Sequence, residues 1–204
     1  MQHTPELGSL EVICGPMFSG KTKKLIELIQ KWQQQKMSFQ IFKHALDTRF
    51  EIHKIVAHSG ESFNAQAIGS SCDLLEKVDT ITTQAIAIDE IQFFDPTIYE
   101  ICAALVRQGK QVVVAGLDLD FRGEPFGAMP LFLSAADVIH KTSGTCCICG
   151  ERARFTQRMT HKKPACRYEP LVIVASQDRY EARCWNCYEF PGENCCQNQE
   201  GRVL

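Results

Sequence analysis

The sequence predicts an α/β protein in which a parallel sheet surrounds a phosphate-binding loop and a small metal-binding segment follows. Three observations carry that prediction. An apolar run, Leu10 to Cys14, leads into the glycine-bearing stretch Gly15–Thr22, after which bulky apolar residues recur at helical spacing. Two further apolar runs, Ala85–Ile88 and Val112–Ala115, flank a second helical pattern over Ile98–Val106, and strands alternating with helices argue for a parallel sheet. From Cys146 the texture turns cysteine-rich, charged and rich in turn formers.

Each element has a local cause. Leu10-Glu-Val-Ile-Cys14 is a short apolar run ending at glycine, as a buried strand before a tight turn should be. Leu25, Leu28, Ile29 and Trp32 fall at i, i+3, i+4, i+7, so they share one helix face, with Lys23, Lys24 and Lys31 largely elsewhere. Phe39–Phe42 reads as a second strand, and the polar stretch from 44 to 84 shows no assignable period. The change of texture predicts a boundary near residue 143, between an α/β domain that carries the glycine-bearing loop, 1–143, and a cysteine-rich domain, 144–192. Residues 193–204 read as a frayed tail, with Cys195 and Cys196 as free thiols.

Composition narrows the function classes. With 204 residues, 45% hydrophobic and 23% charged, the chain is long and apolar enough for one core plus a small appendage, which excludes disorder as its dominant state. Lys plus Arg is 22 against 24 for Asp plus Glu, a net charge of −2, so no global basic field points to nucleic acid. No stretch approaches the ~20 apolar residues of a membrane helix. The start, Met1-Gln-His-Thr-Pro-Glu6, has neither a basic nor an apolar leader region. A cytoplasmic protein with no membrane or nucleic-acid partner is the expectation.

Gly15-Pro16-Met17-Phe18-Ser19-Gly20-Lys21-Thr22 matches the phosphate-loop pattern G-x-x-x-x-G-K-[ST] in full. At average glycine usage such a match arises by chance in roughly one chain in a hundred of this length. Its position between a strand and a helix lets backbone N–H groups and the helix dipole converge on an anion. Gly15 and Gly20 permit the turn and the close approach of phosphate, Lys21 reaches the β and γ phosphates, and the Thr22 hydroxyl serves Mg²⁺.

A metal-bound triphosphate also needs an acid at the end of a neighbouring strand, and Ile86-Ala-Ile-Asp89-Glu90 supplies it. Asp89 is the natural Mg²⁺ partner, and Glu90, one residue further on, is the candidate general base. If Glu90 activates water, the protein is an NTPase; if it activates a bound alcohol, the protein is a kinase with a second pocket. Aromatic and apolar residues favour the pocket: Met17 and Phe18 in the loop, Phe93 and Phe94 after Gln92, and Leu117, Phe121 and Phe126 after the Val112–Ala115 strand. Their clustering on loops after strand C-termini suits a flat aromatic ligand.

Cys146-x-x-Cys149 and Cys184-x-x-Cys187 form two knuckles that can deliver four thiolates to one tetrahedral ion, with Gly150 available for the turn. Four thiolates leave no open coordination position, so the ion is structural; zinc is expected, although the same ligands also suit iron. Cys147 and Cys166 stand as competing ligands, and His161 reads as a surface residue. The long segment between the pairs implies an excursion that leaves the metal site and returns.

Taken with Asp47-Thr-Arg49, Asp89-Glu-Ile-Gln-Phe-Phe94, Gly116-Leu-Asp-Leu-Asp-Phe121 and Pro125-Phe126-Gly127, these motifs resemble, in type and order over about residues 8 to 190, the type II, zinc-containing cellular and bacterial thymidine kinase family. The resemblance implies a RecA-like core, a zinc-bearing lasso, a homotetramer, and transfer of the γ-phosphoryl of ATP to the 5′-hydroxyl of thymidine or deoxyuridine, giving dTMP for pyrimidine salvage, with dTTP as feedback inhibitor. It implies Glu90 as base, Lys21 and Arg49 at the phosphates, and Thr22 with Asp47 or Asp89 at Mg²⁺. Asp89, Glu90 and Gln92 thereby join Gly15–Thr22 and Arg49 around ATP. Met17, Phe94, Leu117, Phe121 and Phe126 would wall the thymine. Thr156, Leu171, Val172, Ile173, Val174, Ala175 and Tyr180 would come from the lasso, with backbone groups near Val172 to Ser176 bonding the thymine edge. Two other classes compete: a zinc-ribbon nucleic-acid-dependent ATPase, supported by Lys162, Lys163 and Arg167, and a zinc-bound nucleotide sensor in which Glu90 is idle.

Overall fold

The computed structural model describes residues 7–47, 54–56, 60–172 and 180–192. Arg49, Ile173, Val174, Ala175, Ser176 and the tail 193–204 with Cys195 and Cys196 lie outside the described residues. The first part of the chain runs β1 (Ser9–Cys14), α1 (Lys21–Gln34), β2 (Phe39–His44), β3 (Lys54–Val56), β4 (Ser62–Asn64), β5 (Gln66–Ile68), α2 (Ser71–Lys77) and β6 (Ala85–Asp89). A 3-10 turn, Ile91–Phe93, is followed by α3 (Thr97–Arg107), β7 (Gln111–Gly116), α4 (Met129–Ala135) and β8 (Val138–Lys141). Strands β3 and β4 pair antiparallel to each other. The other six form one sheet in the order β5-β2-β6-β7-β1-β8, and every neighbouring pair in it is parallel. The predicted α/β class and its parallel sheet are the observed ones.

Alternation along the central strands explains the layers. Ile13, Ala85, Ala87, Val113 and Ala115 face the α1 side chains Leu25, Ile26, Leu28, Ile29 and Trp32. Val12, Ile86, Ile88, Val112 and Val114 face the opposite way, onto Leu74 of α2, Ile98, Cys102 and Leu105 of α3, and Met129 and Phe132 of α4. The sheet is thus largely small where α1 brings bulk and large where the shorter helices lie. Burial on both faces is why β6 and β7 read as continuous apolar runs. Each fully buried Leu or Ile contributes about 1.5–3 kcal/mol relative to exposure.

Sheet order corrects one expectation. The acid-bearing strand β6 is not the direct neighbour of the phosphate-loop strand β1, because β7 lies between them. This interleaving is the RecA-like arrangement. Several elements carried too little periodic signal to be read, among them the short strands β3, β4 and β5, helices α2 and α4, and strand β8. Helix α2 occupies seven residues of the polar stretch, started by a capping box in which Ser70 Oγ accepts from Asp73 N (3.2 Å) and Asp73 Oδ2 from Ser70 N (3.2 Å). Helix α4 also spans seven residues. Strand β8 is an edge whose Val138 and Ile139 are half exposed, 44% and 46%. None of the described helices is long and apolar enough to cross a membrane.

The large sheet ends at Lys141, and small antiparallel ladders begin at Gly144: β9 (Gly144–Thr145) with β10 (Arg152–Ala153), then β11 (Phe155–Thr160) between β12 (Lys163–Pro164) and β13 (Tyr180–Arg183). His161 and Lys162, both at positive φ (51° and 63°), make the two-residue turn from β11 to β12, and His161 is exposed. Register places Thr156 opposite Ala182 and Arg158 opposite Tyr180, so these four side chains share one face of the ladder. That face meets the phosphate loop, where Thr156 Oγ1 accepts from Met17 N at 2.9 Å.

Candidate active site and metal centre

The phosphate loop is held by its neighbours as well as by its own turn. Gly20 caps α1 in the left-handed region (φ 81°) with open space around it, so its requirement is conformational. Gly15 differs. At φ 146°, an added Cβ would lie 2.5 Å from Thr142 Oγ1 and 2.6 Å from Thr142 O, so its missing side chain admits the residue just after β8. Thr142 Oγ1 lies 2.9 Å from Cys14 O and 2.7 Å from Ser19 Oγ, and Ser19 Oγ lies 2.7 Å from Pro16 O, so two hydroxyl protons are shared among three contacts that tie the loop to the residue after β8. Lys21 Nζ also donates to Pro16 O, at 2.7 Å, which keeps the ammonium against the loop.

Although β7 separates their strands, Thr22 Oγ1 and Asp89 Oδ2 are 3.4 Å apart. Helix α1 packs over β7 and β6, so its first turn reaches the end of β6. Asp89, 3% exposed, accepts from Glu90 N through Oδ1 (2.9 Å). Asp47 is placed differently: its carboxylate lies 3.6 Å from the fully buried Lys43 Nζ, and Lys43 is registered beside Asp89 across β2 and β6. The sequence reading missed Lys43. Its signal was a lysine at the C-terminal end of an otherwise apolar strand.

Glu90 sits in the left-handed region (φ 58°, ψ 40°) and is 6% exposed. Gln92, expected among the phosphate ligands, is 2% exposed and bonds two neighbours through its amide. Its Nε2 donates to Glu90 Oε2 at 2.5 Å and its Oε1 accepts from Leu117 N at 3.0 Å. The glycine after β7 makes that possible, since a Cβ on Gly116 would lie 2.3 Å from Gln92 Oε1. Gln92 therefore ties the candidate base to the loop that starts at Leu117.

The aromatic set is only partly where the sequence put it. Phe94 is a core residue, packed in the main cluster and edge-on to His44 with ring centroids 4.5 Å apart. Phe93 is the one that meets Phe126, edge-on at 5.8 Å. The swap follows from the 3-10 turn, which redirects consecutive side chains. Phe121, Phe126 and Thr156 are buried, Met17, Leu117 and Tyr180 half-buried, and Leu171 and Val172 more exposed, 38% and 36%. Tyr188 OH donates to Phe121 O at 2.7 Å and Arg122 Nη2 to Glu169 O at 3.1 Å, so the 117–127 loop is fastened to the cysteine-rich part.

The sulfurs of Cys146, Cys149, Cys184 and Cys187 all lie within 4.8 Å of one another. Tetrahedral zinc with bonds of about 2.3 Å needs sulfurs about 3.8 Å apart, so the cage fits that ion. Burial would push the Cys146 thiol up, but backbone N–H groups of Cys149 and Ile148 outweigh it and pull it down to about 6. Cys187 is pushed up to about 12 by the thiols of Cys149 and Cys184. Four such groups shed their protons together only against a cation. Cys147 is exposed and outside the cage, and Cys166 is disulfide-bonded, so neither competes.

A parallel sheet with β7 between the loop strand and the acid strand, a full phosphate loop, a hydroxyl facing a carboxylate and a four-cysteine cage of a size that fits zinc are the features of a P-loop phosphotransferase. The family model for thymidine kinase matches residues 8–188, nearly the whole chain. The chain belongs to the thymidine kinase family, ATP-dependent enzymes that phosphorylate thymidine.

Proposed function

We propose that this protein transfers the γ-phosphoryl group of ATP to the 5′-hydroxyl of thymidine, and of deoxyuridine, with Glu90 as general base, giving dTMP for pyrimidine salvage. The observation that carries the base assignment is the buried Glu90 carboxylate, aimed by Gln92 and backed by the loop beginning at Leu117. A carboxylate so held can take the proton from the hydroxyl as its oxygen attacks phosphorus. Lys21 would exchange the Pro16 carbonyl for phosphate oxygens. Arg49 would join it there. Thr22 and Asp89, with Asp47 as the further candidate, would hold Mg²⁺, which when bound neutralises charge on the β and γ phosphates. Phe121, Phe126, Leu117, Met17 and Thr156 would enclose the base together with Leu171 and Tyr180. A division into 1–143 and 144–192, a homotetramer, inhibition by dTTP, a cytoplasmic location and independence from nucleic acid belong to the same reading.

The test is ADP release with Mg-ATP and no acceptor, each common nucleoside, or single-stranded DNA, with chromatography of the nucleoside product. Thymidine-dependent ADP with equimolar thymidine 5′-monophosphate is expected. DNA-stimulated or acceptor-independent ADP alone would refute the acceptor. Glu90→Gln should lower kcat by about 10²–10⁴ with ATP binding retained, and near-wild-type turnover would remove Glu90 as base.

A further inference from the structure

Among the described residues Arg158 is the largest fully buried side chain, with 0% of its surface exposed. A buried guanidinium needs nearly every donor satisfied, so its partners show what it is for. Nη1 donates to Pro170 O at 2.6 Å and lies 3.5 Å from Leu171 O. Nη2 is 3.4 Å from Glu169 Oε2. Its Nε has no hydrogen-bond partner among the described residues. The remaining compensation is aromatic: the guanidinium carbon stands 3.5 Å from the centroid of the Phe121 ring.

Glu169 extends this node. Its Oε2 also accepts from Thr160 Oγ1 (3.0 Å) and its Oε1 from Cys166 N (2.9 Å), while its carbonyl accepts from Arg122 Nη2 (3.1 Å). Arg122 lies at 5.1 Å over the same Phe121 ring. Residues 160–171, which follow β11, are thereby drawn onto the loop after β7. Thr156, which bonds Met17 N of the phosphate loop, is on the same face of β11 as Arg158.

We propose that Arg158 is a positioning residue for nucleoside recognition: it fixes the plane of Phe121 and the path of Pro170–Leu171 against each other, so that the two walls of the base pocket keep one spacing. This rests on the nucleoside-pocket reading above. Arg158 contacts neither the phosphate loop nor Glu90 in the hydrogen bonds and ion pairs described, so its effect falls on nucleoside affinity and not on the chemical step.

Arg158→Lys keeps the charge but loses the planar fork and the stack. Its KM and calorimetric Kd for thymidine should rise about ten-fold, the loss expected for a desolvated cation–π contact and one charged hydrogen bond. KM for ATP, kcat and zinc content should stay within about two-fold. Equal loss of ATP and thymidine affinity, or loss of zinc, would mark a merely structural role and overturn the proposal, as would an unchanged thymidine KM. Should the lysine variant fail to fold, Glu169→Gln decides by the same ratio: about a three-fold rise in thymidine KM is expected from loosening one charged hydrogen bond, and no rise overturns it. Wild-type protein run alongside separates the two levels. If it does not phosphorylate thymidine, the function fails; if it does and the variants bind thymidine normally, only the Arg158 role fails.

Discussion

Gln92→Leu is the perturbation that most directly examines how the site is held. The substitution is close in volume, and Gln92 is 2% exposed, so it removes two hydrogen bonds without opening a large cavity. Losing the bond to the charged Glu90 carboxylate costs about 1.5–3 kcal/mol, and orphaning Leu117 N costs about 1–3 kcal/mol, so a stability loss of about 3–5 kcal/mol is expected. For a chain of this size that corresponds to a fall in Tm of roughly 10 °C. Glu90 loses the contact that aims it. A misplaced catalytic group costs on the order of a hundred-fold. The assay is initial-rate ADP release at saturating thymidine and ATP, at a temperature well below the variant's melting point, beside a thermal melt. A folded variant with a lowered Tm but a kcat within about three-fold of wild type would refute the argument that Gln92 holds the base.

Two other predictions concern the cysteine-rich part and the C-terminal end of β2. Cys149→Ser, or exhaustive chelation, should release the metal and make residues 144–172 protease-sensitive, because such an ion contributes on the order of 10 kcal/mol to folding. Thymidine-dependent turnover should be lost with it, since the Thr156 bond to Met17 N depends on that fold; a metal-free variant with intact limited-proteolysis pattern and activity would contradict this. His44 gives a pH signature. Burial holds its imidazole below the ordinary value of 6.5, against a smaller opposing effect of Gly69, and Nδ1 accepts from Leu46 N at 3.1 Å, which requires the unprotonated ring nitrogen. A histidine with a depressed folded pKa contributes stability above its unfolded pKa, and that stability is lost as pH falls from about 6.5 toward the folded value. The wild-type Tm should therefore drop more between pH 7 and 5.5 than that of His44→Gln, and parallel curves would show that His44 is not responsible.

What the sequence determined by itself were the motifs in which several short-range demands coincide. Glycines at the two ends of a strand-to-helix turn, a lysine and threonine on the first helical turn, an acid pair at the end of an apolar strand and two C-x-x-C knuckles each express a local geometric demand. A strand buried on both faces announces itself because both faces are apolar, as Ala85–Ile88 and Val112–Ala115 did. Chain-wide order of these motifs was enough for the family resemblance that the match over residues 8–188 supports.

Tertiary structure alone decided which residues serve one another across the chain. That Gly15 makes room for Thr142, that Gln92 bonds Leu117 N, that Lys43 is buried beside Asp89 of the next strand, and that Arg158 stacks on Phe121 are all meetings between separate segments. No periodicity reports them, because each partner is locally an ordinary polar or glycine residue. The 3-10 turn that exchanges Phe93 and Phe94, and the insertion of β7 between β1 and β6, belong to the same category. Side-chain direction and strand order are set by how the layers pack, and packing is a property of the folded chain as a whole.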